Sequence, residues 1–154
     1  METAYFDTSA LVKRYVAEEG SQWIKTLCAP PNNLIVCTSQ LTVVETACAF
    51  SRRMREGALS SEDYKKLLAA FDYDATYRYI VVDVTRTTIE TACDLAGIHP
   101  LRAYDAIHLA TALLINRELI KNSRHPLTFI RADNRLVDIV KTENLHTENP
   151  NDHI

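Results

Sequence analysis

The chain has 154 residues, a length suited to one domain, and its 47% hydrophobic and 24% charged residues describe a globular protein with a real core. Its formal net charge of −3 gives no support to a general nucleic-acid binder, whose usual footprint is a basic balance, although local patches matter more than the sum. No apolar run approaches the roughly 18 residues of a membrane-spanning helix, and the N-terminus lacks the basic and apolar regions of a secretory signal, so a cytoplasmic protein with no membrane association is expected.

The first apolar run, Ala4-Tyr5-Phe6, reads as a buried strand, and Asp7 follows it directly. An unpaired carboxylate is costly to desolvate, so Asp7 needs hydrogen bonds, a cation or water. Capping the helix expected over residues 9–17 is one ordinary answer. A second helix is expected over 21–27, where the Trp23, Ile24 and Leu27 stripe fits either packing against a sheet or a partner surface. Residues 29–33 form a loop, 34–37 a short strand, and Ser39 caps a helix that runs to Arg55 and is stopped by Gly57. Ser60, with Asp63 three residues on, opens the next helix. Residues 79–84 are a strand by their β-branched content, and 87–97 a helix closed by Gly97. Residues 101–119 predict a long central helix, 127–130 a strand after Pro126, and 133–143 a final helix. Strands alternating with helices predict an α/β fold: a central, mostly parallel sheet with helices on both faces, in a single domain of residues 1–154. The site of such a sheet lies at the carboxyl ends of its strands.

Cys28, Cys37, Cys48 and Cys93 form no C-x-x-C pair, and the five histidines show no metal-ligand spacing. Free buried thiols are expected, with neither disulfides nor zinc. Four acids are more informative. Asp7 and Asp133 each follow a strand and open a helix, which puts both on one edge of a parallel sheet. Glu45 and Asp105 lie in apolar helical stretches, "LTVVETACAF" and "RAYDAIHLATALL". Capping accounts for the first two and leaves the second two without an account. If the four converge, their repulsion requires raised pKa values or a bound cation. An all-oxygen set selects Mg²⁺, with Mn²⁺ as substitute, and such ions serve phosphate chemistry.

At these residues the sequence resembles the PIN-domain nucleases, and within them the VapC toxins of toxin–antitoxin pairs. The blocks "YFDTSALVKRYVAEEGS", "VVETACAF", "LRAYDAIHLATAL" and "FIRADNRLVDIVKTENL" carry the resemblance in order and spacing, and "LHTENPND" matches the family's ending. The resemblance implies a PIN-like fold and an acidic quartet of Asp7, Glu45, Asp105 and Asp133. In it Asp7 and Asp105 are the main metal ligands, with Thr8 and Ser9 supporting the site. It implies a metal-dependent endoribonuclease acting on an RNA substrate, a cognate antitoxin as partner, and a homodimer. Lys13, Arg14, Arg52, Arg53, Arg102 and Arg131 are candidates for substrate contact, although by sequence alone the helical clusters among them read first as the solvated face of an amphipathic helix. Arg131 departs from the family, which often has Thr or Ser there; it is expected either to contact substrate phosphate or to point to solvent. His108 is read as structural, bonded one turn from Asp105. Two other readings compete. An aspartyl phosphohydrolase would need a second Asp where Ser9 stands, and a PIN-like module could bind RNA or protein without cutting.

Overall fold

The computed structural model describes residues 2–153; Met1 and Ile154, the ends of the expected domain, lie outside the described residues. Strand β1 (Thr3–Phe6) is buried along its whole length, as a central strand of a parallel sheet should be. It lies between β2 (Ile35–Ser39) and β4 (Thr128–Ile130), with β3 (Ile80–Val82) and β5 (His146–Glu148) at the edges. Every pairing in the order β3-β2-β1-β4-β5 is parallel, as the alternation of strands and helices predicts.

Alternation along the strands builds two cores. Ala4, Phe6, Val36 and Ile130 pack with residues of α1 (Thr8–Leu11), α2 (Ser21–Leu27), α3 (Gln40–Arg55) and α4 (Ser61–Tyr77). Tyr5, Cys37 and Phe129 face the other way, toward α5 (Arg86–Ile98), α6 (Ala103–Lys121) and α7 (Val137–Thr142). Helices thus cover both faces, and the Trp23, Ile24 and Leu27 stripe packs into the first core. The most extensive helix pairing is α5 with α6, where Ala92, Ala106, Ala110 and Ala112 are small enough for the backbones to approach.

Several boundaries differ from the sequence reading for local reasons. The first helix ends at Leu11 and tightens into a 3-10 turn, Val12–Arg14, closed by Tyr15 N–H on the Val12 carbonyl at 3.0 Å. Gly97 does not close α5, which continues to Ile98; the stop is His99, held extended because Pro100 follows it. The final helix divides into a 3-10 turn, Asn134–Leu136, and α7, after which Asn144 takes the left-handed conformation (φ 59°) expected of a helix-ending Asn. All four cysteines are free, but only Cys37 is buried; Cys48 and Cys93 are exposed, turned away from the buried Thr46 and Ala92 faces of their helices.

Candidate metal and nuclease site

The chain leaves β1 through helices on one face and leaves β4 through α7 on the opposite face. The gap between the carboxyl ends of β1 and β4 is therefore the topological switch point, where ligands of open α/β sheets bind. Asp7 stands at one side of this gap and Arg131 and Asp133 at the other.

Asp7 is 5% exposed, and its backbone N–H donates to the Ile130 carbonyl at 3.1 Å. Its Oδ1 caps α1, accepting from Ala10 N–H at 3.0 Å and from the Ser9 hydroxyl at 2.6 Å. Its Oδ2 faces the Arg131 guanidinium at 3.9 Å. Capping and charge pairing are thus divided between the two oxygens of one carboxylate. Ser9 also accepts from Ala132 N–H at 3.0 Å, which ties the loop after β4 to α1.

Asp105 occupies the first turn of α6, where the helix dipole favours a negative charge, and its Oδ1 is 4.0 Å from Arg131 Nη2. Burial is the main cause that pushes its pKa up; Arg131 opposes this, and the nearby Asp7 and Asp133 charges add to it. Asp133 caps the 3-10 turn after β4 and is gripped by Arg135 through its backbone N–H (3.0 Å), Nε (2.8 Å) and Nη2. The Arg135 side-chain bonds are the largest cause of its carboxyl falling to about 2.

Glu45, on α3, turns to other partners. His108 Nε2 lies 2.7 Å from its Oε2, and the Thr8 hydroxyl donates to the same oxygen. A carboxylate only accepts, so the Nε2 proton points at Glu45. Burial alone would raise the Glu45 pKa, but the His108 hydrogen bond and charge, with Thr8, hold it below the usual carboxylate range. His108 is structural, though not through Asp105: its Nδ1 shares a hydrogen with the Tyr5 hydroxyl at 2.7 Å, bridging β1 to α3. Tyr5 and this bridge were not legible in the sequence, because residues 5, 45 and 108 belong to three distant elements.

Arg131 does not point to solvent. It is 1% exposed, its Nε donates to the Asp133 carbonyl at 2.6 Å, and its Nη2 lies 3.8 Å from Asp133 Oδ2 as well as near Asp7 and Asp105. Its Nη1 is buried without a hydrogen-bond partner. Three aspartates thus surround one guanidinium, and Glu45 joins them through Thr8, next to Asp7, and His108, one turn past Asp105. Among the described residues, no three His, Cys, Asp or Glu side chains form a ready-made cage for a metal ion. The donors are nonetheless all oxygen and already draw in a positive group, so their chemistry fits a hard cation.

Beside the acids runs a groove of about 580 Å³ lined by Thr8, Ser9, Lys13, Glu45, Arg52 and Arg53. Lys13 is buried in its wall, with Nζ on the Glu19 carbonyl at 2.8 Å, and Arg53 pairs with Glu18 at 3.3 Å. Arg14 turns to Asp74 at 3.5 Å and lies over the Tyr79 ring, while Arg102 is exposed at the cap of α6. The groove also exposes Val44 and Tyr104, which the sequence reading did not single out.

Residues 4–139 match the PIN domain family. The chain belongs to the PIN-domain family. Ribonuclease VapC45 of Mycobacterium tuberculosis (strain CDC 1551 / Oshkosh) is 32% identical over 116 residues, covering 75% of this chain and 78% of VapC45, so this PIN domain is related to the VapC toxins. A toxin–antitoxin complex from Klebsiella pneumoniae has the same fold at a TM-score of 0.63 and 18% identity, over 96% of this chain and 97% of the other. VapBC2 from Rickettsia felis, solved with a promoter DNA fragment, aligns at a TM-score of 0.64 and 14% identity, over 96% and 98% of the two chains. No helix among the described residues is long and apolar enough to cross a membrane.

Proposed function

We propose that this PIN-domain protein is a metal-dependent endoribonuclease, the toxin of a toxin–antitoxin pair. The observation that carries this reading is the gathering of Asp7, Asp105 and Asp133 around a positive charge at the switch point, beside a groove with arginines on its wall. A Mg²⁺ or Mn²⁺ ion, when bound, supplies a water of lowered pKa and neutralises charge developing on phosphate oxygens. Asp7 and Asp105 would hold it, with Asp133 and Glu45 completing the shell directly or through water.

The remaining work belongs to the chain. Ser9 and the α1 backbone fix the Asp7 carboxylate, and His108 with Thr8 fixes Glu45, so neither must reorganise when substrate arrives. Arg52, Arg53 and Lys13 offer the groove wall positive charge for the RNA backbone, which the aspartates would otherwise repel. Hydrolysis by a water in line with the 3′-oxygen breaks the P–O3′ bond and leaves a 5′-phosphate and a 3′-hydroxyl. The name of ribonuclease VapC45 supports RNA as substrate, and toxin–antitoxin complexes of the same fold support an antitoxin as partner. Val44 and Tyr104 give the groove apolar surface on which such a partner could settle. A homodimer and a cytoplasmic location belong to the same reading.

The absence of a ready-made cage among the described residues favours a second reading, a PIN-like module that binds RNA or protein without cutting. One experiment separates the two. Purified, antitoxin-free protein is incubated with RNA and Mg²⁺ or Mn²⁺, beside a chelated sample and Asp105→Asn. The nuclease reading expects cleavage that falls about 100-fold or more in both controls, the scale of losing one group that stabilises transition-state charge. A folded protein that binds RNA and leaves it whole supports the module.

A further inference from the structure

Arg131 is a buried cation for which the proposed reaction has no use. A guanidinium offers five N–H donors, and this one places a single hydrogen bond, from Nε to the Asp133 carbonyl. Its Nη1 has no partner, and its Nη2 meets three carboxylates at 3.8–4.0 Å, in ion pairs longer than hydrogen bonds. Burying a guanidinium so poorly satisfied is costly unless the surrounding negative charge compensates. The charge count accounts for the arrangement. Asp7, Asp105 and Asp133 bring three negative charges, while Glu45 is engaged by His108 and Thr8. Two guanidiniums answer them, Arg131 from within and the exposed Arg135 on Asp133, so the site stays net negative and still attracts a divalent ion.

We propose that Arg131 is a built-in counter-ion that limits the site to one divalent ion and holds the three aspartates together before that ion arrives. A neutral residue at 131 would leave three charges facing one another, a site that holds divalent ions more tightly, admits a second, and needs one to stay folded. Like-charge repulsion within a few ångströms sets the sign of each effect.

The inference rests on the metal-binding reading above, and the test separates the two. Mn²⁺ is titrated by calorimetry into metal-free wild type, Arg131→Met and Arg131→Lys, and the melting temperature of each is followed with and without Mn²⁺. The proposal expects one ion on wild type. Arg131→Met should bind two, or bind one about tenfold or more tightly, as expected for removing a positive charge next to the ion. Its metal-free melting temperature should fall and be restored by Mn²⁺, while Arg131→Lys behaves as wild type. Binding by Arg131→Met alone would show that Arg131 excludes the ion rather than admitting one, and would overturn the proposal. One ion of equal affinity on wild type and Arg131→Met would overturn this inference and leave the metal site standing. Absence of binding to all three folded proteins would overturn both.

Discussion

Glu45 is held by His108 and Thr8. Removing His108 leaves the carboxylate with the Thr8 hydroxyl alone and takes the Nδ1 partner from the Tyr5 hydroxyl. His108→Ala is expected to lower cleavage about 10- to 100-fold, the usual scale for a residue that orients a ligand, with His108→Gln recovering part of the loss. Steady-state kinetics of the two variants, with circular dichroism to confirm folding, measures this. Asp133 gives a prediction in pH. Its folded pKa, about 2, lies below the ordinary 3.8, chiefly because Arg135 bonds it. A lowered carboxylate pKa contributes stability that is present above the unfolded value and lost as pH falls through the folded one. Arg135→Gln should therefore be less stable than wild type at pH 6 in urea titrations, and the gap should close between about pH 4 and pH 2. At this scale, Asp7 and Asp133 were legible in the sequence because each lies just past a strand, Asp7 directly and Asp133 after Arg131 and Ala132. Arg131 was not: a basic residue two before an acid reads as a surface group until the fold surrounds it with Asp7 and Asp105.

Helix ends carry the next set of expectations. Gly97 lies inside α5, exposed, with open space where a Cβ would go. Gly97→Ala should stabilise the protein by about 0.5–1 kcal/mol by reducing the freedom of the unfolded chain. Gly20 is the opposite case: its φ is 76°, and a Cβ would stand 2.6 Å from the Pro150 carbonyl group. Gly57 shares the left-handed φ, 78°, with nothing near it. Both Ala substitutions lose about 1–2 kcal/mol to the left-handed conformation, and Gly20→Ala should lose clearly more because the backbone at Pro150 must move. Urea midpoints of the three variants order them, and equal losses at 20 and 57 would contradict the close approach. Most elements were readable from periodicity and caps: Ser39 and Ser60 cap where their sequences say they should. The first helix was overread because a 3-10 continuation keeps apolar residues at almost helical spacing, and α5 was ended at Gly97 when Pro100 was the stronger stop.

At the scale of the molecule, the function proposed here depends on strand order. Placing β4 beside β1 sends the chain away on opposite faces and opens the crevice where Asp7, Asp133 and the first turn of α6 meet. Alternating strands and helices made a parallel sheet legible, and with it the edge on which the acids lie. The order of the strands was not legible, because β1 and β4 pair across more than 120 residues and no local signal records such a contact. For the same reason the sequence pointed to four converging acids, whereas the fold sets three around Arg131 and gives the fourth to His108. The basic side chains sort similarly: Arg52 and Arg53 reach the groove, while Arg14 belongs to the Asp74 and Tyr79 cluster. The measurement that tests the central claim most directly is the chemistry of the RNA ends after cleavage. The account predicts 5′-phosphate and 3′-hydroxyl termini, the products of a water attacking at a carboxylate-held ion. Fragments bearing 2′,3′-cyclic phosphate and 5′-hydroxyl ends would show attack by the RNA's own 2′-hydroxyl and would contradict it.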